Sequence, residues 1–527
     1  MQSFGIHVCV ATVIGILLSA SWLYPNLFVV SLLGHACLIV YAILQKPTRA
    51  FLFGAFAGTL ALGIAFHWSP SSIAATTNLP SGWPVVVFLV LVAWESFVFA
   101  AFAWMVSLAA KHAITLLVVA PAWWVTIEFL WPRVFTWSIA HTHTEVLPIM
   151  QVAEWAGTPG VSFAVIFAAL AIAVFGLVIS GRFTESRAAC RVSAISAAVV
   201  ALAYVWGQFR IDQIDAIAAS ASTVRVAAIQ VDPTFVDSVE KLRARSMPLQ
   251  NDVDLVLWPE SAIGHYHEKL GDFTDPIRVS ELSEAPCPAE DPTNGFKTCL
   301  LAGGKQYDEG GRGEGPYQNT AFLISPEKQI LGRYVKRTLI PFGEYLPGES
   351  FAPAMRYWAA LDTSITPGTT DEPLVLPSVK KISGAKVGTL ICYEDMISEN
   401  ARRTVLAGAE CLAVIINGSA FRDADTLELH LRLAQLRAIE NRRAMVRCAA
   451  TGVTCSISPS GRIEQRLPVN VEGELVAAMP RMTLVTLYTS SGNAFAWVCV
   501  AVTAVSQGYL IYVSIKRRRL RRLQPVR

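Results

Sequence analysis

Val387-Gly388-Thr389-Leu390-Ile391-Cys392-Tyr393-Glu394-Asp395 (VGTLICYED) is an apolar run that ends abruptly in a thiol and three polar residues. The uncharged stretch up to Ile391 reads as a short buried strand. Plain core does not continue with Tyr, Glu and Asp, because each would carry a polar group into the interior. The strand therefore ends at Cys392, which puts the thiol at a strand terminus, where catalytic groups of α/β sheets lie. Leu255 to Trp258 repeats the pattern and runs into Pro259-Glu260, and the proline forbids regular pairing beyond it. A third strand, Ile330 to Val335, delivers Lys336 ahead of a Pro341-containing loop that holds Glu344.

Working outward, Val224 to Gln230, Thr298 to Gly303, Asn319 to Ile324, Cys411 to Ile416, Met445 to Thr451 and Thr454 to Ser458 also read as strands. Ser325-Pro326 and Pro459-Ser460-Gly461 signal hairpins. The clearest helix is Thr426 to Arg443, with Leu429, Leu433, Leu436 and Ile439 on one face and Glu428, Arg432 and Glu440 opposite. Strands alternating with helices predict a layered α/β or α+β domain.

This domain is bounded on both sides by sequence of another kind. Of the 527 residues 53% are hydrophobic and 16% charged, and Met1 to Gln45 contains no Lys, Arg, Asp or Glu. Apolar stretches near 7–24, 27–45, 50–67, 84–108, 112–131, 159–180, 192–209 and 493–515 predict about eight membrane spans. The first lacks a basic leader and a small-residue cleavage site, so it reads as a retained span. Lys46, Arg49, Lys111, Arg182, Arg187, Arg191 and the run Lys516 to Arg522 fall on one side if every span crosses, and that side is cytoplasmic. The expected organisation is thus 1–210 as transmembrane helices, 224–481 as an extracytoplasmic catalytic domain, 493–515 as a final span and 516–527 as a basic cytoplasmic tail. Directly after a span, that tail reads as a cytoplasmic stop on anionic lipid, so no nucleic-acid partner is expected.

Ten cysteines are scattered without zinc spacing, so no structural metal is expected. Cys287 and Cys299 bracket a Pro- and Gly-rich insertion and form a candidate disulfide. His141 and His143 lack a carboxylate at ligand spacing and, with Trp137 nearby, read as an interfacial loop. Glu260, Lys336 and Cys392 supply a base, an oxyanion partner and a nucleophile, the parts of an acyl-transferring thiol enzyme. Each alone reads as a solvated or core residue, and the order and context of all three carry the inference.

LWPES (257–261), YVKRTLIPFGEY (334–345) and LICYED (390–395) resemble the three signatures of the nitrilase superfamily. The flanking spans, the string PFGEYLP and the segments Trp124 to Gly160 and Thr486 to Gly492 narrow the resemblance to its apolipoprotein N-acyltransferase branch. The resemblance implies a four-layer α-β-β-α sandwich, a Glu260-Lys336-Cys392 triad and no cofactor. It implies acyl transfer from a membrane phospholipid through a cysteine thioester to the α-amine of a diacylglyceryl-cysteine apolipoprotein, in a bacterial inner membrane with the catalytic domain periplasmic. Glu344 would orient Lys336 or Glu260, and Tyr393 and Glu394 would support the nucleophile. Asn417, Phe421 and Trp358 would contact substrate, the last from an apolar lid, Phe351 to Leu361. Two strings depart from the family pattern: Asn417 to Phe421 (NGSAF) lacks the usual acidic and Trp positions, and Gln230-Val231-Asp232 replaces a Gln-Gly-Asn type string. Alternatives are a membrane-tethered amidase, an N-acyltransferase for another acceptor and a non-catalytic envelope protein.

Overall fold

The structure, a computed structural model, describes residues 2–110, 113–134, 136–182, 186–231, 238–263, 265–267, 295–307, 316–327, 329–347, 365–377, 384–419 and 423–523. It divides into a helical unit, Met1–His67, Val85–Arg210 and Ser491–Arg527, and an α/β unit, Trp68–Pro84 and Ile211–Ser490.

Among the described residues six helices are long and apolar enough to cross a membrane: Phe4–Leu23, Pro25–Leu44, Pro47–Ala65, Trp83–Ala109, Ala153–Ile179 and Ala189–Ser220. Two shorter apolar helices, Val119–Leu130 and Ala494–Leu510, lie in the other two stretches expected to span. Small residues let the helices approach closely, as membrane helices do without a hydrophobic driving force. A Cβ on Gly34 would lie 2.7 Å from the Leu18 nitrogen, and one on Gly54 would lie 2.9 Å from Ala103 Cβ. The segment around His141 and His143 is a short 3-10 helix, Ile139–His143, with both rings buried. Glu128 draws it inward by accepting from the Ile139 N–H (2.9 Å) and the Ser138 hydroxyl (3.1 Å), and the Ser138 N–H donates to His141 Nδ1 (3.0 Å).

The α/β unit carries β1 (Thr223–Gln230), β2 (Leu255–Leu257), β3 (His265–His267), β4 (Cys299–Tyr307), β5 (Tyr317–Ile324), β6 (Ile330–Val335), β7 (Leu374–Val375), β8 (Lys386–Ile391), β9 (Cys411–Ile416), β10 (Met445–Ala449), β11 (Cys455–Ile457), β12 (Ile463–Arg466) and β13 (Gly473–Pro480). They form two sheets, ordered β13-β1-β2-β4-β5-β6, with β3 also on β4, and β12-β11-β10-β9-β8-β7. The centre of each is parallel, β1-β2-β4 in the first and β8-β9-β10 in the second; antiparallel pairs flank it, successive in sequence at β4-β5-β6, β7-β8 and β10-β11-β12, and distant in sequence where β13 lies on β1. Both hairpins signalled in the sequence are present, as β5-β6 and β11-β12.

Period-two alternation decides the layering. Along β1, Val224, Val226 and Ala228 face inward and join Val387, Met445 and Cys448 of the other sheet in one core. Ala227 and Ile229 face outward onto Leu242 of the helix Ser238–Ser246. Helices Ser398–Leu406 and Ala424–Asn441 back the second sheet through Ala401, Val405, Leu431, Ala434 and Ala438. The result is an α-β-β-α sandwich whose core side chains each contribute about 1.5–3 kcal/mol on burial. The helix Ala424–Asn441 departs from the amphipathic expectation: Arg432 and Glu440, expected outward, are buried. Glu440 is stabilised there by Arg437, 2.9 Å away.

Cys299, the expected partner of Cys287, carries a free thiol buried at the start of β4. It packs in the inter-sheet core, and burial pushes the thiol up to about 11. Cys287 lies outside the described residues, as do Phe421 and Trp358.

Candidate active site

Glu260 and Cys392 each follow the C-terminal end of a parallel strand, one in each sheet. Face-to-face packing brings the two ends together. β2 stops because Pro259 has no N–H to offer; the Trp258 N–H donates to Leu301 O (2.9 Å), and Pro259 adds only its carbonyl, which accepts from the Gly303 N–H (3.2 Å). Glu260 then turns inward, with Ser261 at φ 61°. Gly303 makes room for it, since a Cβ there would lie 2.6 Å from Glu260 Cα. β6 continues one step beyond Val335: the Lys336 N–H donates to Asn319 O (2.8 Å) and its carbonyl accepts from Gly368 (2.8 Å), which aims the side chain into the sandwich, fully buried.

β8 ends in a tight turn, Cys392–Met396, with Cys392 at φ 51°. A β-carbon makes that region costly, and it persists only where the surroundings over-determine it. Glu394, fully buried, accepts from the Ile391 N–H (2.9 Å), the Arg337 N–H (2.7 Å), the Thr338 N–H (3.1 Å) and the Tyr334 hydroxyl (2.8 Å). One carboxylate thus ties the cysteine turn to the segment that carries Lys336.

Lys336 Nζ donates to Glu344 Oε1 (2.6 Å) and lies 3.5 Å from Glu260 Oε1. Glu344 is fixed in turn by the Ile340 N–H on Oε2 (2.8 Å), so of the two partners expected for it the direct one is Lys336. Glu260 accepts from Asn319 Nδ2 on Oε1 (2.6 Å) and from the Asn417 N–H on Oε2 (2.8 Å). Asn417 is therefore in the site, but through its backbone; its side-chain oxygen accepts from the Ser419 N–H (3.1 Å) and shapes the loop. Tyr393 follows the nucleophile and is partly buried.

The electrostatics are those of a proton-transfer site. Burial disfavours the Lys336 ammonium, but Glu260 and Glu344 outweigh it and hold the group above the ordinary lysine range. Burial, and then the Glu260 charge, push the Cys392 thiol well above the usual range, with Lys336 opposing. The resting cysteine is thus a thiol. Moving the proton from Cys392 to Glu260 leaves the charge of the buried set unchanged, which makes nucleophile activation feasible without solvent.

Asn319, Tyr334, Arg337 and Asp395 are site residues that the sequence reading did not single out. Tyr334 and Arg337 flank Lys336 in the quoted string, and Asp395 closes the cysteine string. Asn319 carries no local signal, because its role depends on the β5-β6 register beside Lys336. Among the described residues no group of three or more metal-ligating side chains occurs.

Residues 14–171 match the model of the apolipoprotein N-acyltransferase N-terminal domain. The apolipoprotein N-acyltransferase of Geobacter metallireducens is 27% identical over 514 residues, covering 94% of this chain and 93% of that one. The enzyme of the same name from Ralstonia nicotianae is 31% identical over 208 residues, 39% of this chain and 37% of its own. Among solved structures, an amidase of the nitrilase superfamily from Nesterenkonia aligns with 52% of this chain and 95% of its own at 18% identity, with a TM-score of 0.36. The model of the carbon-nitrogen hydrolases matches residues 223–487, more than half of the chain and the whole span from β1 to β13, and on that match the chain belongs to the carbon-nitrogen hydrolase family.

Proposed function

We propose that the protein is a phospholipid:apolipoprotein N-acyltransferase that works through a Cys392 thioester. The observation that carries this reading is the coexistence, in one chain, of the buried Glu260-Lys336-Cys392 set and at least six membrane-length helices. A soluble amide needs no such helices, and a bilayer-borne acyl donor does, so the amidase alternative is not favoured.

In the first half-reaction Cys392 Sγ attacks the ester carbonyl of a glycerophospholipid while Glu260 takes the thiol proton. Charge develops on the carbonyl oxygen, where the Lys336 ammonium stabilises it, together with a backbone N–H of the cysteine turn. Collapse breaks the C–O bond, Glu260 returns the proton to the departing lysophospholipid hydroxyl, and the acyl group stays on sulfur. In the second half-reaction the α-amine of a diacylglyceryl-cysteine apolipoprotein attacks the thioester and gives a proton to Glu260. Breaking the C–S bond forms the amide, and the thiol is restored. Ester and amine become amide and alcohol without oxidant or cofactor, and the kinetics are ping-pong.

In this reading residues 1–210 and 493–515 lie in a bacterial inner membrane, 224–481 face the periplasm and 516–527 the cytoplasm. The charge distribution of the short loops supports that orientation. The test is to incubate the full-length protein with phospholipid and a diacylglyceryl-cysteine peptide and to weigh both. Gain of one acyl chain by the peptide supports the transferase. Free fatty acid alone would make the chain a hydrolase, and no free fatty acid with no mass change on protein or peptide would sink the catalytic reading.

A further inference from the structure

Behind the nucleophile lies a second polar cluster that the acyl-transfer steps do not use. Asp395, three residues after Cys392 and fully buried, accepts from His430 Nε2 on Oδ1 (2.6 Å) and from Arg447 Nε on Oδ2 (2.9 Å). Met396, which ends the same turn, accepts through its carbonyl from Arg437 (3.0 Å). His430 and Arg437 are seven residues apart on the helix Ala424–Asn441, hence on one face, and Arg447 lies on β10.

Two adjacent carboxylates therefore pull the cysteine turn in different directions. Glu394 binds it to the Lys336 segment, and Asp395 binds it to the helix and to β10. A turn that must hold Cys392 at φ 51° needs such over-determination, because relaxing toward an ordinary backbone angle would swing Sγ away from Glu260 and Lys336. Arg447 has a second role. A carboxylate this close to the nucleophile opposes thiolate formation, and the Arg447 guanidinium on Oδ2 offsets part of that opposition.

We propose that Asp395, clamped by His430 and Arg447, is a positioning residue that locks the Cys392 turn in its attacking geometry. The inference rests on Cys392 being the acylated nucleophile. His430 is the place to test it, since its side chain is 14% exposed and its replacement leaves Arg447 on Asp395. The measurement is the single-turnover rate of acyl adduct formation on Cys392, by intact-protein mass, in the full-length protein with phospholipid vesicles. His430→Phe is expected to lower that rate roughly ten- to a hundredfold with the phospholipid KM and the melting temperature little changed. His430→Gln, whose amide Nε2 reaches the same carboxylate oxygen, restores most of the rate. Asp395→Asn combined with His430→Phe is no slower than the slower single variant, because the two act as one unit.

Unchanged acylation in His430→Phe would overturn the clamp. So would a slow His430→Gln, or a rate loss that tracks a loss of thermal stability, either of which would make the contact purely structural. Absence of any adduct on Cys392 in the unsubstituted protein is a separate result, and it would overturn the acyl-transfer reading and the clamp with it.

Discussion

Glu128 in the helical unit and Glu260 in the α/β unit are both buried carboxylates, and their partners differ in kind. Glu128 accepts from Trp124 Nε1 (3.3 Å), the Ser138 and Ser162 hydroxyls (3.1 and 2.7 Å) and the Ile139 N–H (2.9 Å), all neutral donors. Glu260 has two neutral donors, a lysine at the edge of contact and a thiol within electrostatic reach. Glu128 also lies within electrostatic reach of the Arg133 guanidinium, which does not give up its proton, so that carboxylate organises backbone; one left between an ammonium and a protonated thiol can move a proton. Glu394 sharpens the point, since it lies two residues from Cys392 yet, like Glu128, is held by neutral hydrogen-bond donors with only a guanidinium, that of Arg337, within electrostatic reach. Proximity to the nucleophile does not make a catalyst, whereas an exchangeable proton partner does.

The largest effect is expected at the groups that exchange the proton. Cys392→Ala should abolish the acyl adduct and lower transfer by about 10⁴-fold or more. Glu260→Gln, whose single amide oxygen can accept from only one of the two neutral donors and which cannot take the proton, should cost about 10²–10⁴-fold in single-turnover acylation. Lys336→Met should cost about 10²–10³-fold, read in the same assay, because the oxyanion loses its charged partner. Gly303→Ala leaves every catalytic group in place but puts a β-carbon 2.6 Å from Glu260 Cα. Displacing the base by that contact should cost up to about 10²-fold in single-turnover acylation.

Glu128→Ala is the counterpart that tries to break the comparison. It strands buried donors, each at about 1–3 kcal/mol, and should lower the thermal stability of the protein while single-turnover acylation stays within about threefold. A hundredfold loss of acylation with unchanged stability would mean that the two carboxylates are not different in kind.

The smallest effect concerns Asp395. Burial opposes its charge, but His430 and Arg447 hold the carboxyl below the ordinary carboxylate range. A group depressed in the folded state contributes stability that is complete above its unfolded pKa, about 3.9, and is lost as pH falls through the lowered folded value. Asp395→Asn should therefore flatten the acid end of a melting-temperature profile below about pH 4, leaving the slope above it as in the unsubstituted protein.

Much of the α/β unit was legible because its signals are local. β9 and β6 run over the residues expected, Cys411–Ile416 and Ile330–Val335, and the two hairpins sit at their Pro and Gly markers. β13 was missed, since its partner β1 lies far away in sequence. The long helix was found but its faces were misjudged: buried Arg437 and Glu440 satisfy one another, which no hydrophobic pattern reveals. The burial of the His141-His143 segment was missed for the same reason, because the acceptor that draws it inward, Glu128, sits on a preceding helix.

By itself the sequence determined the chemistry and the kind of surroundings. Apolar length marks membrane helices, since a bilayer sets a minimum span, and a strand halted by Pro259 or by the polar string after Cys392 marks where side chains leave the core. Only the tertiary structure decided which groups share a proton and which merely hold backbone. That distinction depends on distances of a few ångströms between residues as far apart as Glu260 and Asn417, or Asp395 and Arg447, and such distances are set by the packing of one sheet on the other and of helix on sheet.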